Sequence, residues 1–180
     1  LAQTTRGNTM NKHAATPVPA GRNHIQRYRI AFSDCDPAQI VFFANYFRWF
    51  DIASREFFTA CGVPSWRDME RERGIIGTPL LDAQAKFLNS ATYGEDIEIE
   101  TFVESWNTRS FVMRHVARRG GTVLAEGREV RIFAIRDPED KRRIKAIPVP
   151  EDIKNACVQC RASGCGICRT EGATADLPTA

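Results

Sequence analysis

No stretch of the 180 residues stays apolar long enough to cross a membrane as a helix. No large excess of either charge is present: 25 Lys and Arg face 22 Asp and Glu, a formal net charge of +3. That balance gives no basic footprint for nucleic acid or an acidic lipid surface. Internal repeats are absent, so solenoids and propellers are excluded. A Gly-x-Ser-x-Gly elbow is also missing, which argues against a serine hydrolase. The first 22 residues, Leu1 to Arg22, hold no apolar stretch of the secretory kind, and a cytoplasmic location is the default expectation. The sequence opens on Leu, which leaves Met10 as a candidate start. Histidine is scarce (His13, His24, His115). The six cysteines are unevenly placed: Cys35 and Cys61 stand alone, while Cys157, Cys160, Cys165 and Cys168 crowd the tail. A secreted disulfide scaffold would spread them more evenly.

What is present fits one domain with tails. An acidic turn, Asp34-Cys35-Asp36-Pro37, lies directly before a long apolar helix. A helix start offers free backbone N–H groups and the positive end of the dipole. A carboxylate beside it supplies a base or a nucleophile, so the segment is a candidate for acyl chemistry. Asp36 has an equally simple structural reading, the capping of a turn before Pro37.

Residues 1–23 show no period and read as a disordered tail. Ile25 to Phe32 reads as a first strand. From Asn45 to Cys61 the apolar residues Tyr46, Phe47, Phe50, Ala53, Phe57 and Cys61 recur at three and four, which predicts a helix ending at Gly62 and Pro64. Ser65 to Arg73 predicts a short second helix stopped by Gly74. The period then becomes two. Strands are expected at Thr78 to Tyr93 (with a bend), Asp96 to Glu104, Ser110 to Arg118, Thr122 to Ile135 and Arg143 to Ile147. Gly120-Gly121 and Asp137 to Asp140 mark turns. This order predicts an α+β fold, one long helix on a strongly bent antiparallel sheet. The domain is expected over residues 24–154, with 155–180 a flexible cysteine-rich tail.

The ordered series Asp-Cys-Asp-Pro-Ala, Asn45-Tyr46, Arg48-Trp49-Phe50-Asp51, Cys61-Gly62-Val63-Pro64, Trp66-Arg67, Glu72 to Pro79 and Arg109 to Val112 resembles the 4-hydroxybenzoyl-CoA thioesterase family. The resemblance spans about Ile25 to Ile153. It implies a hot-dog fold, an antiparallel sheet wrapped around one central helix. It also implies an acyl-CoA substrate, assembly as dimers or tetramers with active sites at the dimer interface, and no metal or organic cofactor.

Residue by residue, Asp36 matches the family's catalytic carboxylate, as nucleophile or as general base toward water. The backbone N–H of Phe43 matches the donor that polarises the thioester carbonyl. Asp51, Trp66 and Thr78 match positions around a hydroxybenzoyl group, whose buried hydroxyl needs a partner. Asp51 has a second reading, an ion pair with Arg48 or Arg55 on one helix face. Arg109 and Ser110 match part of a basic cluster that meets the CoA phosphates. Asn107 and Thr108 replace basic residues there, Gln39 stands where a close member has glycine, and Ala44 where it has proline. Arg118, Arg119 and Lys141 to Arg143 offer other positive charge, or only a solvated turn.

The resemblance favours hydrolysis of an aryl-CoA thioester, 4-hydroxybenzoyl-CoA in particular. Short- or medium-chain acyl-CoA thioesters are the alternative substrates. A non-catalytic acyl-CoA-binding hot-dog protein is the reading from another class. A hot-dog dehydratase fits less well, because no histidine accompanies the acidic turn. Outside the resemblance, Cys157, Cys160, Cys165 and Cys168 have the number of thiolates for tetrahedral zinc, but the short link favours an oxidisable tail.

Overall fold

The computed structural model describes residues 22–159. Of the tail expected over residues 1–23, residues 1–21 lie outside that range, as do the last three cysteines, whereas Asn23 already belongs to the first strand. Strand β1 (Asn23–Arg29) leads through a 3-10 turn (Phe32–Asp34) and the acidic loop into helix α1 (Ala44–Ala60). Helix α2 (Trp66–Arg73) and strands β2 (Ile75–Gly77), β3 (Leu80–Phe87), β4 (Asp96–Trp106), β5 (Phe111–Arg119), β6 (Thr122–Arg131), β7 (Phe133–Arg136) and β8 (Ile144–Ile147) follow, and α3 (Glu151–Val158) ends the described chain. Five strands form an antiparallel sheet in the order β1-β4-β5-β6-β3, and β2, β7 and β8 form a second of three.

Helix α1 forms because Tyr46, Trp49, Phe50, Ala53, Phe57 and Phe58 fall on one face and are all buried, while Arg48, Asp51 and Arg55 face out. It stops in a Schellman motif. Gly62, at φ 83°, donates to Thr59 O at 2.9 Å, and Val63 donates to Phe58 O at 3.0 Å. The helix lies across β1, β4 and β6. Its first half packs on Ile30, Ile97, Ile99 and Leu124, and its last turn on Met69, Phe111, Met113 and Phe133. Phe50 sits at the middle against Gly127, where a Cβ would lie 2.6 Å from the ring. Only glycine lets the helix approach the sheet this closely.

Three expectations are corrected. The strand read over Thr122 to Ile135 is two, broken at Ile132, whose N–H donates to Pro79 O at 3.1 Å. Its first part pairs with β3 and its second with β2 and β8, so the bend moves the chain from one sheet to the other. The strand read from Thr78 to Tyr93 ends at Phe87. Helix α3 was not foreseen. It follows Pro150 with Glu151 and Asp152 in its first turn, a normal helix start. It buries Ile153 and Cys157 and so crosses the limit expected at residue 154. No helix among the described residues is long and apolar enough to cross a membrane.

Candidate active site

A bridge between Cys35 and Val41 closes the acidic loop. Asp34 is its anchor, 2% exposed. Its Oδ2 accepts from Tyr28 Oη at 3.0 Å and Ala31 N at 2.9 Å, and its Oδ1 from Arg48 Nη2 at 3.0 Å. Its carbonyl accepts from Phe42 N and Asn45 Nδ2, both at 2.9 Å. Burial, together with the Asp34 carboxylate, holds the Tyr28 phenol above its ordinary value. The first acidic residue therefore ties the loop to the sheet on one side and to the start of α1 on the other.

Asp36 is half-buried on this frame. Its Oδ1 accepts from Ala38 N at 2.8 Å, an Asx turn that leaves Oδ2 unused among the described contacts. Gln39, where the resemblance leads one to expect glycine, takes φ 64°, a left-handed conformation. Thr92 Oγ1 holds it by donating to Gln39 O at 2.6 Å. Phe43 is the N-cap residue of α1. No described acceptor takes its N–H, although the neighbouring N–H groups of Phe42 and Asn45 are both engaged. The Phe43 ring is half exposed and, with Ile40, Val41, Tyr46 and Phe87, borders a cleft of about 330 Å³.

Asp51 lies eight residues further along α1, about 12 Å up the helix. It pairs with neither Arg48, which holds Asp34, nor Arg55, which holds Glu56. Its partner is Arg131 on β6, whose Nη2 donates to Asp51 Oδ1 at 2.7 Å. The same guanidinium donates through Nη1 to Thr78 O at 3.0 Å. Two predicted acyl-group contacts, from a helix and from the segment before β3, thus meet at one buried arginine.

Behind Arg131 lies Glu129. Its Oε2 accepts from Arg131 Nε at 2.8 Å, Ser54 Oγ at 3.0 Å and His115 Nε2 at 3.2 Å. Burial would raise the Glu129 carboxyl, but the hydrogen bonds from His115 and Arg131 outweigh it and hold it at about 2. Burial lowers His115 below its ordinary value, against the pull of Glu129, and so favours the neutral imidazole. Its Nε2 then carries the proton, because the carboxylate can only accept, and Nδ1 accepts from Thr101 Oγ1 at 2.9 Å. None of Arg131, Glu129 and His115 was singled out from the sequence. The signal was present: Ala125, Gly127, Glu129 and Arg131 alternate on one face of β6, and the last two are opposite charges on an inward face.

The other predicted residues lie elsewhere. Trp66 is half-buried against Phe58, Phe133 and the Cα side of Gly77, so packing is its visible role. Arg109 is exposed in the β4–β5 turn, where Asn107 Nδ2 donates to Ser110 Oγ at 3.2 Å. Trp66 packs with the core at the C-terminal end of α1, whereas Asp36 and Phe43 stand at its N-terminal end. The helix spans 17 residues, about 25 Å, so one chain does not gather all of these groups. Arg119 is engaged by Glu95 at 2.6 Å. Cys157 is buried in the core, where its contact with Cys61 and its burial push its thiol up. A zinc site built on Cys157 would have to pull it out of that core. Among the described residues no three His, Cys, Asp or Glu side chains gather for a metal.

A fold with a carboxylate loop at the start of a sheet-wrapped helix defines a class. The chain belongs to the thioesterase-like superfamily, whose family model matches residues 30–157. The fold is the hot-dog fold of its solved relatives. More particularly, the chain is 45% identical over 141 residues to the 4-hydroxybenzoyl-CoA thioesterase of Pseudomonas sp. strain CBS-3, covering 76% of this chain and 98% of the relative. A crystal structure of a mutant 4-hydroxybenzoyl-CoA thioesterase, aspartate to asparagine, complexed with 4-hydroxybenzoyl-CoA is 42% identical with a TM-score of 0.71, covering 76% of this chain and 99% of that one. A gentisyl-coenzyme A thioesterase structure is 28% identical with a TM-score of 0.63, covering 74% of this chain and 98% of that one.

Proposed function

We propose that this thioesterase hydrolyses an aryl-CoA thioester, 4-hydroxybenzoyl-CoA in the first instance, with Asp36 as its reacting carboxylate. The observation that carries this reading is a half-buried Asp36, one oxygen fixed by Ala38 N, in the loop that leads to the N–H of Phe43 at the start of α1, which no described acceptor takes. The thioester carbonyl oxygen accepts from Phe43 N–H, and the helix end stabilises the oxyanion that develops there. Asp36 Oδ2 attacks the carbonyl carbon, the C–S bond breaks, and CoA leaves as thiolate. Water then cleaves the mixed anhydride to the free aryl acid and restores the carboxylate. In the other form of the reaction the same oxygen takes a proton from an attacking water.

The acyl hydroxyl donates to Asp51, with Trp66 and Thr78 beside the ring. Arg109 and Ser110 meet the CoA end. These groups lie at different heights along α1, and a second copy completes the site. The edge of the large sheet supports this reading. Strand β3 is a free edge among the described strands, and Leu80, Leu81 and Phe87 on it are each 46–61% exposed. Self-association as a dimer, or a tetramer of two dimers, would cover that edge. Residues 24–154, with the remainder of α3, form the catalytic unit.

Release of thiol from 4-hydroxybenzoyl-CoA, benzoyl-CoA and hexanoyl-CoA tests the proposal. The parent enzyme is expected to favour the first, and Asp36→Asn to lose roughly a hundredfold or more in kcat. Hydrolysis of none of the three, or an Asp36→Asn variant as fast as the parent, would overturn it.

A further inference from the structure

The buried chain of polar groups behind Asp51 is larger than a helix-to-sheet contact needs, and it has a direction. It starts at Thr101 on β4, passes to His115 directly opposite on β5, crosses to Glu129 on β6, and ends at Arg131. Thr101, His115 and Ser54 are at most 1% exposed, Glu129 is 2% and Arg131 5%. Its outer end is an exposed carboxylate: the Asp51 side chain is 70% exposed.

We infer that Arg131, held by Glu129 and His115, is the positioning residue that presents Asp51 and Thr78 to the hydroxyl-bearing end of an aryl acyl group. This rests on the proposed role of Asp51. All three guanidinium nitrogens are committed in different directions, Nε to Glu129, Nη1 to Thr78 O and Nη2 to Asp51 Oδ1. A planar fork with three fixed directions sets both the angle of the Asp51 carboxylate and the start of β3. Oδ1 is taken by the arginine, so Oδ2 is the atom left to accept from a phenolic O–H. An ionised Asp51 can only accept, so the phenol meets it as the O–H donor.

The layers behind it explain why the fork does not turn. Glu129 gives one oxygen to three donors, and its His115 donor is stacked on Phe50 at 4.8 Å and 12°. Glu129 fixes the tautomer of that imidazole, and Thr101 holds its Nδ1 from the far side at 2.9 Å. A simpler structural role would need one partner for Arg131, and lysine would serve it equally.

The test is the ratio of kcat/KM for 4-hydroxybenzoyl-CoA to that for benzoyl-CoA, with KM and kcat taken separately. It is measured in the parent, Asp51→Asn, Arg131→Lys and Glu129→Gln. Arg131→Lys keeps the charge and loses the fork. Its ratio is expected to fall about tenfold or more, through KM for the hydroxylated substrate, with benzoyl-CoA turnover changed much less. Glu129→Gln, which keeps volume at the inner layer, is expected to lower the ratio in the same sense. It decides the matter should Arg131→Lys fail to fold. If the parent shows no preference, the reading of Asp51 fails and this inference with it. If Asp51→Asn loses the preference while the folded variants at Arg131 and Glu129 keep it, or lose both substrates equally, the positioning role alone is overturned.

Discussion

Asp34 connects the stability of the fold to the chemistry proposed for Asp36 two residues away, so its removal should be felt in both. In Asp34→Ala three hydrogen bonds are lost: Tyr28 Oη and Ala31 N to Oδ2, and Arg48 Nη2 to Oδ1. Arg48 is 58% exposed and can turn to water, so its pair is worth at most about 0.5–1 kcal/mol. The Tyr28 and Ala31 bonds are less easily replaced, at about 1 kcal/mol each. The sum is about 2–3 kcal/mol, which for a domain of this size lowers the melting temperature by roughly 10 °C. Asp34→Asn keeps the shape and an oxygen for Tyr28 and Ala31 but turns an amide toward Arg48, and should cost only about 1 kcal/mol.

Activity should follow. The Asp34 carbonyl holds Phe42 and Asn45 at the start of α1, and the backbone of Asp36, the carboxylate proposed to react, hangs from the same turn. A loosened turn should cost the alanine variant about tenfold in kcat, with a smaller change in KM. Calorimetric melting and thiol-release kinetics on the folded variant read both effects. An alanine variant that melts within about 2 °C of the parent at unchanged kcat would refute the reasoning.

Two other outcomes are expected. Gly127→Ala places a methyl 2.6–2.7 Å from the Phe50 ring, which is fully buried and stacked on His115, so it should cost about 2–3 kcal/mol in urea unfolding. A cost below about 0.5 kcal/mol would mean the helix can lift off the sheet. The Glu129 carboxyl, held at about 2 against an ordinary 4.5, contributes stability that is complete above pH 4.5 and is lost as pH falls toward 2. At 1.36 kcal/mol per pH unit that is about 3 kcal/mol, and an acid titration of stability on Glu129→Gln should lack this limb.

The elements that were legible are those with local causes. The three-and-four stripe of α1, its Gly62 stop, the Gly74 stop of α2 and the Gly120-Gly121 turn each depend on residues within a few positions. The break at Ile132 was not legible, because the residues on either side are equally good strand formers and only their different pairing partners separate them. Helix α3 was hidden by the composition after Ile153, although Ile153 and Cys157 are spaced for one buried face. The acidic loop that carries Asp36 was visible because loop, proline and helix start are contiguous. The charges near Asp51 in sequence lie on its own helix, whereas its partner Arg131 lies on a strand 80 residues away.

By itself the sequence determined the class of fold, the long helix, and the loop that brings a carboxylate to the helix start. Each of these is set by short-range sterics, capping and the period of burial. Only the tertiary structure decided that His115 lies opposite Thr101 and diagonal to Glu129, and that Arg131 reaches both Asp51 and Thr78. Those meetings depend on strand register and on how closely α1 approaches Gly127. Inter-strand pairing sets the first and the absence of one side chain sets the second, and neither leaves a period in the chain.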